Sequence, residues 1–90
     1  MFQLRYTNHF KRNLKLLKKQ GKDLSKLNEV LDLLTKGEPL PIKYKDHSLT
    51  GNYSGCRECH IEPDWLLIYE VINNELVIIL VTTGSHSELF

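Results

Sequence analysis

Residues 65–83, WLLIYEVINNELVIILVTT, decide the fold. Trp65 to Ile72 is nearly continuously apolar, and Glu75 to Thr83 returns as a second strand-like run. Between them Asn73-Asn74 suits a two-residue turn with positive φ, so the stretch predicts an antiparallel hairpin. Working outward, Tyr53 to Ile61 supplies the strand before it, and GSHSELF, residues 84–90, reads as a polar tail ending in an aromatic. Upstream, Pro39 and Pro41 stop helical structure, so EPLPIKYKDHSLTGN (38–52) is a long connection. Phe10, Leu14 and Leu17 recur at helical spacing, with Thr7 or Asn8 as cap and Gly21 as stop. Leu24, Leu27, Val30, Leu31 and Leu34 form a second stripe, capped by Asp23 or Ser25 and ended by Gly37. Phe2, Leu4 and Tyr6 alternate as a short strand. The order is β-α-α-β-β-β. One α+β domain over residues 1–90 is expected, a helical hairpin packed on an antiparallel sheet.

With 41% hydrophobic and 26% charged residues, the chain has an ordinary globular composition rather than a disordered or collagen-like one. The longest apolar run, Leu76 to Val81, is far below the ~18 residues of a membrane span. MFQLRYTNHFKR has no apolar stretch after its basic start, which predicts no signal peptide and a cytoplasmic protein. Net charge is only +1, yet residues 1–22 hold seven of the twelve Lys/Arg and none of the eleven Asp/Glu. Such a basic head on an acidic body suits a nucleic acid or an acidic partner. It equally suits a solvated helix face paired with acids elsewhere in the fold.

Cys56-Arg57-Glu58-Cys59-His60 matches the c-type haem pattern C-x-x-C-H. Covalent haem attachment takes place outside the cytoplasm, and Met1 is the only methionine, so haem is not expected. A thioredoxin-like site would need a βαβ setting that is absent. Zinc would need a second pair, and in a regular strand Cys56 and Cys59 point to opposite faces. No metal and no cofactor are expected. Among four histidines, His9 is a surface residue at the start of the first helix. His47, His60 and His86 fall at the ends of elements, where a rigid sheet can gather loop residues into one site.

YKDHSLTGNYSGCRECHIEPDWLLIYEV followed by TGSHSELF resembles the YafQ branch of the RelE/ParE toxins of bacterial toxin–antitoxin modules. That pattern runs approximately YKDH-L-G, R-x-x-H-x-x-P-D-x-x-L-I/V-Y and G-[ST]-H-x-x-L-F, in this order along the whole chain. The resemblance implies a ribosome-dependent endoribonuclease that cuts messenger RNA without a metal, by attack of the ribose 2′-OH on its 3′-phosphate. A base, an acid and donors for the phosphorane are then needed, and histidine suits both proton roles. By motif position His47, His60, Asp64 and His86 carry over as the acid/base set, with His86 as general acid. Trp65 and Phe90 match positions lining the site; each either stacks on an unpaired base or closes the core as an aromatic.

One position departs from the family. A basic residue commonly stands two places before the glycine of G-[ST]-H, and here that place holds Thr82. Another cation must serve the phosphate, or cleavage is weakened. Arg57 has the opposite strand parity to His60, which leaves Lys45 the better substitute. Lys11, Arg12, Lys15, Lys18 and Lys19 would face ribosomal RNA phosphates or an acidic antitoxin segment. The implied partners are a cognate antitoxin, in a hetero-oligomer with an otherwise monomeric toxin, and the ribosome with its mRNA. Two rival readings are a catalytically weak toxin-fold protein, which Thr82 favours, and a ParE-like gyrase inhibitor, which gives the histidines no purpose.

Overall fold

The computed structural model describes residues 1–90. In chain order it comprises β1 (Gln3–Tyr6), α1 (Asn8–Lys19), α2 (Leu24–Thr35), β2 (His47–Ser48), β3 (Arg57–Glu62), β4 (Trp65–Ile72), β5 (Val77–Gly84) and α3 (His86–Leu89). Short 3₁₀ turns occupy Ile42–Tyr44, Gly51–Tyr53 and Asn73–Glu75. The five strands lie in the order β1-β5-β4-β3-β2.

The α+β class holds, and four local expectations are corrected. The sheet is mixed, because β1 runs parallel to β5 while the other pairs are antiparallel. Positive φ in the β4–β5 connection falls on Leu76 (53°), after a 3₁₀ turn, and not on the asparagines. The C-terminal segment is helical rather than an irregular tail: Ser85 accepts from the Glu88 amide, and the Glu88 carboxylate accepts from the Ser85 amide. That reciprocal cap satisfies two amides that the start of a helix otherwise leaves orphaned. The strand expected from Tyr53 begins only at Arg57, because residues 51–53 coil into a turn.

Thr7 caps α1 by accepting from the Phe10 amide, and its own hydroxyl donates to Val81 O at 2.8 Å. Asp23 caps α2 through the Ser25 amide. At the far end of α2, Gly37 takes φ +72°, and a Cβ there would lie 3.1 Å from the Phe2 ring. That position needs glycine for backbone and space alike. The helices close on the sheet more than on each other, α1 against β5 and α2 against β3. Their buried residues Phe10, Leu17, Leu27, Val30 and Leu34 share one core with Cys59, Leu67, Tyr69 and Leu80 of the sheet. Each such side chain contributes roughly 1.5–3 kcal/mol when fully buried. The opposite parity of β3 leaves Glu58 and His60 for the other face, where the site forms.

Candidate active site

His47 lies opposite Glu58 in the β2–β3 pair, and His60 follows Glu58 by two residues, so all three share one face. The Nε2 atoms of His47 and His60 approach the same Glu58 Oε1, at 3.4 and 3.6 Å. On the opposite side of each ring, His47 Nδ1 meets the Lys45 carbonyl at 2.7 Å, and His60 Nδ1 meets the Pro63 carbonyl at 3.3 Å. A carbonyl only accepts, so Nδ1 carries the hydrogen in both rings and Nε2 is the nitrogen turned to Glu58. Glu58 is 3% exposed, a carboxylate placed to pair with either imidazolium. The sequence reading missed it. Its signal was parity with His60 in R-E-C-H, which became legible only once His47 was set beside it.

A second network holds the His47 loop. Asp46 accepts from Arg57 Nε at 3.0 Å and from the Tyr69 hydroxyl at 2.7 Å, while Arg57 also donates to Ser48 Oγ at 2.9 Å. Burial pushes the Tyr69 phenol well above its ordinary value, and the bond to Asp46 adds to the shift, so Tyr69 stays a donor. Arg57 is therefore spent on Asp46 and Ser48 rather than turned toward His60.

His86 is placed by Asp64, whose Oδ1 accepts from the His86 backbone amide at 3.1 Å. Its ring lies 5.1 Å from the Phe90 ring, and Phe90 meets Tyr53 edge-on at 5.7 Å. The strand register puts His60 opposite Leu66 and Leu66 opposite Gly84, one row across three strands. At the ~4.8 Å strand spacing that row spans about 10 Å, and His86 stands two residues beyond its end. A Cβ at Gly84 would come within 2.9 Å of the Glu88 carboxylate that caps α3, so a larger residue there would push Glu88 off its cap.

Phe90 is 58% exposed and open to a base, whereas Trp65 is 1% exposed and belongs to the core. The Trp65 indole donates to Thr83 Oγ1 at 3.0 Å, and that hydroxyl donates on to Leu66 O. Thr82 is also buried, its hydroxyl donating to Asn13 Oδ1 at 2.8 Å. A β-bulge at Val81 lets the Thr83 amide reach the same oxygen. Thr82 thus secures α1 and offers nothing to a phosphate. Lys45 instead lines a cleft of about 380 Å³ that also includes His60.

Lys11, Arg12, Lys15, Lys18 and Lys19 all lie exposed on α1, and none enters an ion pair. Cys56 and Cys59 are free thiols. Cys59 is fully buried against the helices, and burial with nearby Asp46 and Glu58 pushes its thiol up to about 12. The C-x-x-C-H residues do not converge. No group of three or more His, Cys, Asp or Glu side chains in the structure is placed to hold a metal ion.

Residues 2–90 match the family model described as the bacterial toxin of type II toxin–antitoxin system, YafQ. The chain is 40% identical over 88 residues to the mRNA interferase toxin YafQ of Escherichia coli K12, covering 97% of this chain and 94% of that protein. It superposes on a metal-bound toxin from Helicobacter pylori with a TM-score of 0.93 at 44% identity, each chain covered completely. YafQ in the E. coli DinJ-YafQ complex matches with a TM-score of 0.90 at 37% identity, covering 100% of this chain and 99% of that one. The chain belongs to the YafQ family of type II toxin–antitoxin toxins.

Proposed function

We propose that this protein is the toxin of a type II module and an endoribonuclease that cleaves messenger RNA on the ribosome, neutralised by a cognate antitoxin. One observation carries the catalytic part: two imidazole Nε2 atoms converge on a buried Glu58 oxygen, with His86 fixed on the adjoining strand end. An Nε2 of His47 or His60 takes the proton from the ribose 2′-OH. The 2′-oxygen then bonds to phosphorus, the P–O5′ bond breaks, and His86 protonates the departing 5′-oxygen. The products are a 2′,3′-cyclic phosphate and a 5′-hydroxyl end. Glu58 balances the charge gained by the base. Asp64 serves by holding the His86 backbone, and Lys45 supplies positive charge near the phosphate.

E. coli YafQ is called an mRNA interferase, and the DinJ-YafQ complex pairs that toxin with DinJ. Those descriptions support an RNA substrate and an antitoxin partner here. The unpaired lysines and arginine of α1 suit either ribosomal RNA or an acidic antitoxin segment. No helix is long and apolar enough to cross a membrane; a cytoplasmic site of action follows from the ribosomal target.

Single-turnover cleavage of ribosome-bound mRNA tests the roles. His86→Ala should lower the rate by ~10²–10⁴, the usual worth of a general acid. His9→Ala should leave it unchanged. Side chains account for both proton transfers, so cleavage should survive chelation of transition metals. A parental rate from His86→Ala would overturn the assignment and favour a non-catalytic toxin fold.

A further inference from the structure

The cleft beside His60 lies between α2, the Ile42–Tyr44 turn and the β3–β4 connection, lined by Lys26, Glu29, Lys43, Tyr44, Lys45 and His60. Its volume of about 380 Å³ falls within the ~300–1,000 Å³ of small-ligand sites, at the end suited to a single nucleotide. We propose that it seats the nucleotide adjoining the scissile phosphate, with the ammonium groups of Lys43 and Lys45 on the phosphate of that nucleotide. This rests on the RNA-cleaving function above and assigns that function a substrate subsite.

The cations near the histidines sort themselves by what they already hold. Arg57 is tied to Asp46 and Ser48. Lys26 binds Glu62 at 2.6 Å, and Lys22 approaches the same carboxylate at 3.6 Å. Thr82 gives no charge at all. Lys43 and Lys45 enter no ion pair and both line the cleft. The Lys43 ammonium lies 5.0 Å from the centre of the Tyr44 ring, a contact that places the cation without neutralising it. Lys45 takes left-handed backbone at φ +50°, and its carbonyl accepts from His47 Nδ1. One residue therefore fixes the proton-accepting ring and carries a cation for the neighbouring phosphate. The carboxylates facing the cleft are Glu62, held by its lysines, and Glu29, which enters no ion pair and would oppose an anion.

The test uses a single-stranded RNA tetranucleotide whose 2′-hydroxyls are methylated, so that it binds uncut. Titration of the full chain should move the amide signals of residues 43–45 and 60–62. Lys43→Gln and Lys45→Gln should each weaken Kd at least threefold, and together about tenfold or more. Each should flatten the slope of log K against log salt by ~0.7, the value for one phosphate contact on a single strand. Glu29→Gln should tighten binding, whereas Lys36→Gln, at the far end of α2, should do nothing. In ribosomal cleavage Lys43→Gln should raise KM with kcat within threefold. Parental Kd and salt slope in the double variant would overturn the subsite and leave the cleavage reading standing. A fall in kcat with Kd unchanged in Lys43→Gln would also overturn it, because that lysine would then act on the reacting phosphate. If the parental protein fails to cut mRNA but the two lysines still govern binding, the cleft stands as a nucleotide site and the cleavage reading falls.

Discussion

Replacing Tyr69 with Phe removes one oxygen from a side chain that is 2% exposed, and it should disturb His47 more than it disturbs the core. The lost contact is the 2.7 Å hydrogen bond from the phenol to Asp46 Oδ2. Bonds to a charged acceptor contribute ~1.5–3 kcal/mol. Asp46 is only half-buried and keeps Arg57, so water can replace part of the loss and about 1.5 kcal/mol is expected. In a chain of this size that lowers Tm by roughly 6–12 °C. Asp46 immediately precedes His47, and Lys45 before it holds the strained backbone that supplies the Nδ1 acceptor. If the latch energy goes into aligning this loop, the aligned population falls by as much as about tenfold, since 1.4 kcal/mol is a factor of ten. Single-turnover cleavage should therefore fall up to about tenfold in kcat, with KM little changed. Asp46→Asn, combined with Tyr69→Phe in a double-mutant cycle, should show coupling of ~0.5–3 kcal/mol. A Tyr69→Phe protein that melts lower yet cleaves at the parental rate, with an unshifted His47 Nδ1–H resonance, would refute the positioning role.

Two further outcomes follow from the same contacts. Trp65→Phe should cost about 1–3 kcal/mol in urea unfolding, through lost volume and the lost indole bond to Thr83, while leaving binding of uncleavable RNA unchanged; weaker RNA binding at parental stability would return Trp65 to the substrate surface. The Glu88 carboxyl is held below its ordinary 4.5 by the Ser85 amide and then the Ser85 hydroxyl, so its support for α3 is complete above that ordinary value and lost as pH falls through the depressed folded one. The His86 and Phe90 helix signals should fray in that acid window for the parent but not for Glu88→Gln, whose neutral amide can still form the cap; a parental α3 unchanged at pH 2 would contradict the linkage.

Periodicity made most of the fold legible. The stripes of α1 and α2, the Thr7 and Asp23 caps and the β4–β5 pairing all rest on local chemistry written in consecutive residues. The direction of β1 was not local. Phe2 to Tyr6 reads the same beside a parallel or an antiparallel neighbour, and only the return of β5 alongside it decides the matter. In the tail, Ser85-His86-Ser87-Glu88 carries the S-x-x-E capping-box signature. A helix of only four residues leaves no apolar period to draw attention to that cap.

The site divides in the same way. His47, His60, Asp64 and His86 stood out as residue types in motifs, but their partners depended on register. An acid inside a strand reads as solvent-facing, and Glu58 becomes a shared partner of two imidazoles only because β2 pairs His47 against it. Thr82 fails as a phosphate group for a reason that no residue type announces. The extra residue at Val81 lets both Thr82 and Thr83 bond to Asn13, so the hydroxyl is consumed in holding a helix to a strand. On the proposed cleavage reading, a chain that spends this position on packing draws its phosphate charge from the cleft side, where Lys45 already fixes the His47 ring. On that account the loss of a basic residue beside the G-S-H motif need not silence the enzyme. It moves the electrostatic load from the end of β5 to the loop before β2.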